Sequence, residues 1–195
     1  MAIVKINPKR LYGPWDVGYA LDKHTVSSVF LGNNERGHAE FETTRSEVGE
    51  LLYRLKYRQD KATIEPLAYT AANFLRDNWV LPIDLIIPAP PSYSRPVQPV
   101  KVIAEVLSNR LGIPLGANCL KKVKQTPQLK DIIGYDKRRE ILADAFAVHT
   151  KTTAGKNVLL FDDVFGSGAT VWYITETLKK KGEAEAVYLL TLTTK

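Results

Sequence analysis

The chain has 195 residues, the length of one ordinary domain, and its 45% apolar and 25% charged residues exclude a disordered chain. Its net charge of +6 comes from 27 Lys and Arg against 21 Asp and Glu, which suits a partner carrying phosphate or nucleic acid without singling one out. No apolar run approaches the ~20 residues of a membrane span, Met1-Ala2-Ile3-Val4-Lys5 lacks the apolar stretch of a secretory signal, and the single Cys119 allows neither an internal disulfide nor a cysteine-based zinc site, so a reduced, cytoplasmic protein without a membrane partner is expected.

Taken in chain order, residues 16–31 alternate, with Val17, Tyr19 and Leu21, then Val26, Val29 and Phe30, around Asp22-Lys23-His24-Thr25. This predicts a β-hairpin. Gly32-Asn33-Asn34-Glu35-Arg36-Gly37 reads as a second turn leading to a short strand near 39–43. From Ser46 the period changes: Val48, Leu51, Leu52 and Leu55 share one helical face, with Ser46 placed to cap it. A second helix is expected from Pro66, a good first-turn residue, with Leu67, Ala71, Phe74 and Leu75 in one stripe. Ile83-Asp84-Leu85-Ile86-Ile87 is a short strand stopped by Pro88-Ala89-Pro90-Pro91, and a third helix over 97–111 ends at Gly112.

A basic, loop-like stretch follows. Lys121, Lys122, Lys124, Lys130, Lys137, Arg138 and Arg139 meet only Asp131 and Asp136, a local excess of +5 that is either a solvated loop or a surface for an anion. A short helix is expected around 137–142, a buried strand over Val158-Leu159-Leu160-Phe161, a fourth helix over 169–181 closed by Gly182, and a last strand over 186–192. Apolar strands alternating with helices predict an α/β fold whose central parallel sheet is covered on both faces. Such sheets bind ligands at the carboxyl ends of their strands.

At that end of the 158–161 strand stands Asp162-Asp163-Val164-Phe165-Gly166-Ser167-Gly168-Ala169-Thr170. Adjacent carboxylates repel; they make sense as acceptors for the hydroxyls of a ribose, with cations nearby. Gly166 and Gly168 let the backbone approach a ligand closely. The first amides of the helix face an anion, and Ser167 and Thr170 add hydroxyls. Diol acceptors beside a phosphate cradle describe a site for a ribose 5-phosphate. The plainer alternative is a strand-to-helix turn with glycines for geometry and acids capping the helix. A P-loop would need Lys after Gly168, and a dinucleotide fingerprint would need a small residue at Val171.

The segment Val158–Thr170 resembles the fingerprint of type I phosphoribosyltransferases, which bind 5-phosphoribosyl-1-pyrophosphate (PRPP). Phe165 stands at a usually aliphatic position, and Gly166 where Thr or Ser is commoner. Over residues 50–192 the chain resembles the ComF/GntX-like branch. The carriers are Leu55-Lys56-Tyr57-Arg58, Ile86-Ile87-Pro88-Ala89-Pro90, Arg95 of Arg95-Pro96-Val97-Gln98-Pro99, Gln128, and Arg138 eight residues before Phe146. Ile141 replaces that branch's Asn, and its four-cysteine module has no counterpart here.

The resemblance implies a type I phosphoribosyltransferase fold, with a β-rich N-terminal flap or hood over 1–45 and the core over 46–195. It implies that Gly166, Ser167, Gly168, Ala169 and Thr170 hold the 5-phosphate and that Asp162 and Asp163 hold the ribose and steady the cationic sugar. Ala89, Pro90, Pro91 and Ser92 would take the pyrophosphate through a strained or cis peptide. Mg²⁺ would ride on PRPP rather than on a protein metal site. The 121–139 segment, with Arg138, would cover the leaving group. Lys56 and Arg95 are candidates for pyrophosphate contact or for helix packing. The implied reaction moves phosphoribosyl from PRPP to a small nitrogen-containing acceptor. A non-catalytic PRPP or nucleotide sensor and a nucleic-acid accessory protein are the alternatives, and a homodimer is left open. His24, His38 and His149 show no metal spacing and read as structural or exposed, and Trp172 as core or interface.

Overall fold

The computed structural model describes residues 4–92, 95–124 and 145–195. Strands are β1 (Lys9–Arg10), β2 (Val17–Lys23), β3 (Thr25–Asn33), β4 (Ala39–Arg45), β5 (Leu85–Pro88), β6 (Leu120–Lys122), β7 (Phe146–Val148), β8 (Asn157–Phe165) and β9 (Ala186–Thr194). Helices are α1 (Glu47–Arg58), α2 (Ile64–Asn78), α3 (Pro99–Leu111), the short α4 (Thr150–Thr153) and α5 (Ala169–Lys180), with a 3-10 turn at Lys61–Thr63.

The central sheet has the order β1-β2-β9-β8-β5. Four of its strands run parallel and the two-residue β1 closes one edge antiparallel. The sequence of β8 and β9 explains their central place: Val158-Leu159-Leu160-Phe161 of β8 and the Val, Tyr, Leu and Thr of β9 suit burial on two faces. Side chains alternate across the sheet. Leu159, Phe161, Leu190 and Leu192 enter one core with Leu52 and Leu55 of α1, Leu67 and Ala71 of α2 and Ile103 and Leu107 of α3. Val158, Leu160, Val187 and Leu189 enter the other with Val171, Ile174 and Leu178 of α5 and with Leu120 and Phe146 of the β6–β7 pair. Each such fully buried aliphatic side chain contributes about 1.5–3 kcal/mol.

Helix ends follow local chemistry. The Ser46 hydroxyl accepts from Gly49 N–H at 3.0 Å and donates to the Lys23 carbonyl at 2.5 Å, so α1 starts against the end of β2. A Cβ on Gly49 would lie 2.2 Å from the His24 carbonyl oxygen, which restricts this position to glycine. Pro99 opens α3 and Gly112, at φ 69°, ends it. The second helix starts two residues before Pro66, from Ile64.

The hairpin expected over 16–31 is not formed. β2 pairs with β9, Val17 opposite Tyr188 and Lys23 opposite Thr194, while β3 pairs with β4 through the Asn34 turn. The physical reason is burial: Ala20 and Leu21 are both fully buried and need cover on both faces of β2, whereas β3 is largely exposed. The first 45 residues therefore divide. β1 and β2 lie in the central sheet, and only the β3–β4 ribbon forms a sheet of its own. Trp15 is buried, donates from Nε1 to the Leu11 carbonyl at 2.9 Å, and meets the Phe165 ring edge-on at 5.9 Å. The helix expected around 137–142, with Gln128 and Arg138, lies outside the described residues. No described helix is long and apolar enough to cross a membrane.

Candidate functional site

The carboxyl ends of β5, β8, β9 and β2 meet at one edge of the sheet, and most of the residues singled out in the sequence gather there. β8 runs past its apolar stretch to Phe165, so Asp162 and Asp163 are strand residues, with Asp162 opposite Thr191. The strand thus ends at Phe165, four residues beyond the apolar run that predicted it. Alternation places Asp163 on the face of Phe161, beneath α1, and Asp162 on the face of Leu160, toward α5. Asp163 Oδ2 meets Lys56 Nζ at 2.7 Å, and both side chains are largely buried. Asp162 Oδ1 accepts the Asp163 N–H at 2.8 Å. Burial first, and the neighbouring Asp163 charge second, push the Asp162 carboxyl up to about 7, against the pull of that N–H and of Lys56.

Sequence reasoning missed His24. Its Nδ1 lies 3.2 Å from Thr193 Oγ1, and that hydroxyl reaches the Asp163 carbonyl at 3.3 Å. Burial lowers the imidazole pKa, and Lys56 and Arg45 lower it further against the opposing pull of Asp163, so the ring is neutral at physiological pH. The signal that would have found it is topological: once β2 is the parallel neighbour of β9, the residue after β2 must sit at the carboxyl edge.

Between β8 and α5 the turn is open to solvent at Gly166 and Ser167, while Ala169 is buried under it. Gly168 is the N-cap of α5 at φ 77°, and no side chain caps the helix. The first helical bond runs from Trp172 N–H to the Gly168 carbonyl. The amides of the first turn, with the partly exposed Thr170, are thus presented to an incoming anion. Phe165 shapes the turn from below: a Cβ on Gly168 would lie 2.8 Å from its ring. Phe165 in turn rests on Trp15.

The segment after β5 lies beside β8, because the Ala89 N–H donates to the Phe161 carbonyl at 2.8 Å. Ala89 is buried, Pro90 partly so, and Pro91 and Ser92 are exposed. The strained or cis peptide expected here is not found: the described residues contain no cis peptide, and none of Ala89–Ser92 has positive φ. The Ala89 hydrogen bond keeps the chain in ladder register, and the prolines hold φ negative. Arg95 Nη1 reaches the Lys56 carbonyl at 3.3 Å, and its guanidinium lies 5.5 Å from the Tyr57 ring. Lys56 and Arg95 thus flank the site through the end of α1, with Lys56 engaged by Asp163. Arg138 lies outside the described residues.

Trp172 is partly exposed on α5, and Trp79 packs with Tyr19, Phe74 and Tyr188. Two cavities lie away from the carboxyl edge, one of about 340 Å³ beside Cys119 and His149 and one of about 200 Å³ between Tyr19 and Trp79. Among the described residues no cluster of three or more His, Cys, Asp or Glu could hold a metal ion. The donor set at the edge is two carboxylates, hard oxygen ligands that fit Mg²⁺ only when a bound molecule completes its shell.

No protein-family model and no curated protein matches this sequence. Solved structures do. The chain superposes on the glutamine PRPP amidotransferase of B. subtilis, complexed with ADP and GMP, with a TM-score of 0.51 and 16% identity over 82% of this chain and 34% of that one. It spans about a third of the amidotransferase's length. Adenine phosphoribosyltransferase from Saccharomyces cerevisiae gives a TM-score of 0.49 at 14% identity, covering 87% of this chain and 85% of that one. The enzyme from Giardia lamblia gives 0.48 at 15%, covering 86% and 93%. The architecture is the α/β phosphoribosyltransferase fold, a central, mostly parallel sheet with helices on both faces.

Proposed function

We propose that this protein binds PRPP and transfers its 5-phosphoribosyl group to a small nitrogen nucleophile, releasing pyrophosphate. One observation carries the reading: the adjacent carboxylates of β8 are followed directly by a solvent-open turn at the uncapped N-terminus of α5. In this arrangement the backbone of Gly166–Thr170 receives the 5-phosphate, and a ribose seated over the end of β8 is met by Asp162 from the α5 face and by Asp163, which would have to leave Lys56, from the other. Ala89–Ser92, one strand away, faces the pyrophosphate. The motifs shared with the ComF/GntX-like branch favour the same assignment.

As the bond to pyrophosphate lengthens, positive charge develops on the ribose ring, and fixed carboxylates stabilise it most when water is excluded. Asp163 is held in place by Lys56, and Asp162 by the Asp163 N–H. Lys56 and Arg95 stand on the side of the leaving group. The Mg²⁺ that accompanies PRPP would neutralise the pyrophosphate, and Asp162 and Asp163 are the carboxylates that would be available to help hold it.

A second reading, a sensor that binds PRPP or a nucleotide without turnover, is favoured by the engagement of both flanking cations: Lys56 pairs with Asp163, and Arg95 bonds the Lys56 carbonyl. One experiment separates these. At a hundredfold excess over Kd a ligand adds ~2.7 kcal/mol to stability, and each kcal/mol moves the Tm of a domain this size by ~2–4 °C, so PRPP with Mg²⁺ should raise Tm by roughly 5–11 °C. Chelation should remove most of the shift. No shift at millimolar PRPP overturns both readings. A shift with acceptor-dependent pyrophosphate release, lost in Asp162→Asn/Asp163→Asn, establishes the transferase, and a shift without release from a panel of amine, purine and pyrimidine acceptors supports the sensor.

A further inference from the structure

At the carboxyl edge, Asp163 already has a partner. Lys56 Nζ lies 2.7 Å from its Oδ2, and the side chains of Lys56 and Asp163 are 13% and 19% exposed, so the pair is largely dehydrated. Asp163 is its fixed member. It belongs to β8, its carbonyl accepts from Thr193 Oγ1 at 3.3 Å, and His24 Nδ1 lies 3.2 Å from the same hydroxyl. Among the described residues no other cation forms an ion pair with it. Lys56 is the movable member, an ammonium with rotatable donors on a flexible stem in the last turn of α1. Its carbonyl accepts from Arg95 Nη1 at 3.3 Å, which sets the root of the side chain between β8 and the segment that follows β5.

A largely dehydrated pair is costly to part, because a charge left alone there has neither its partner nor enough water. Ribose hydroxyls can replace the ammonium as donors to Asp163, but they offer Lys56 nothing. A ligand made only of ribose and a 5-phosphate therefore strands a cation. A ligand that also carries pyrophosphate on C1 brings an anion for that cation, so each half of the pair exchanges one charge-assisted partner for another. A charge left unpaired by the wrong ligand is a means of rejecting that ligand.

We propose that Lys56 is a specificity-determining residue of this site: its pairing with Asp163 keeps the ribose seat closed, and only a ribose phosphate whose pyrophosphate takes up the ammonium opens it. The inference rests on the reading of this edge as a PRPP site. The test is calorimetric titration of the wild type and Lys56→Met, in Mg²⁺, with PRPP and separately with ribose 5-phosphate. Lys56→Met should bind PRPP about tenfold more weakly and ribose 5-phosphate about tenfold more tightly. The opposite signs are the signature. A lysine that only touched pyrophosphate would leave ribose 5-phosphate unchanged, and one that only supported the fold would weaken both. Lys56→Gln removes the charge and keeps a donor for Asp163; it should move both affinities in the same two directions, and it serves if Lys56→Met fails to fold. Ribose 5-phosphate affinity that is unchanged or weaker in a folded variant overturns the inference, while PRPP binding by the wild type leaves the reading of the site standing. A wild type that binds no PRPP overturns that reading and the inference with it.

Discussion

Asp162 has a carboxyl whose burial and whose charged neighbour raise its pKa to about 7 from an ordinary 3.8. A native pKa above the unfolded one means that the contribution is whole below about pH 4 and is lost as pH rises through about 7. Wild-type stability should therefore fall between about pH 4 and 7 relative to Asp162→Asn, by up to a few kcal/mol. His24, whose pKa is lowered, acts with the opposite sign: its contribution is present above its unfolded value of 6.5 and lost as pH falls, and it largely cancels in the comparison. Tm measured against pH for the two proteins checks this, and a parallel pair of curves would count against the raised pKa of Asp162. Lys56 gives a second expectation. Lys56→Met strands Asp163 beside Asp162 and should cost roughly 1–3 kcal/mol at neutral pH, less than a wholly buried pair because both side chains keep some water. Adding Asp163→Asn should recover most of that loss in urea melts, as a coupled pair requires.

At the scale of the element, the turn before α5 contains two glycines that are not equivalent. Gly168 has φ 77° and a Cβ there would strike Phe165, whereas Gly166 has nothing within 4 Å. Gly168→Val should therefore unfold or strongly destabilise the protein for reasons unrelated to any ligand. Gly166→Val should leave stability within about 0.5 kcal/mol and still abolish the Tm shift by PRPP, because its side chain fills the open face of the turn. Equal binding by Gly166→Val and the wild type would remove the 5-phosphate from this turn. The elements themselves were largely legible: the Ser46 cap, Gly112 at the end of α3, and the apolar runs of β8 and β9 all carry local chemistry that survives folding, whereas α3 starts at Pro99, two residues after the expected 97. What was not legible depends on partners far along the chain. Periodicity gave β2 its alternation but not its neighbour, and a hairpin was the shorter-range guess. Strands as short as β1, β6 and β7 leave too few residues for a pattern. The site followed the same rule: Asp162, Asp163 and the turn were readable because they are contiguous, while His24 and the Lys56–Asp163 pair exist only once α1, β2 and β8 are side by side.

At the scale of the whole molecule, the boundary drawn at residue 45 separates the ribbon from α1 but cuts through the central sheet, since β1 and β2 precede it. A protein of residues 46–195 would leave β9 without β2 and uncover the core filled by Leu21. It should lack a cooperative thermal transition, and a sharp one near the parental Tm would show that the core stands alone. The same pairing has a consequence in time. Strand β9 lies inside the sheet, between β2 and β8, yet it follows every other strand in the chain, and its register with β2 joins residues such as Val17 and Tyr188. Contacts that distant slow the search for the native state. As the chain emerges from the ribosome, β2 and β8 must wait with open edges until β9 has been made, so synthesis passes through a stage in which unpaired apolar strands are exposed to other chains.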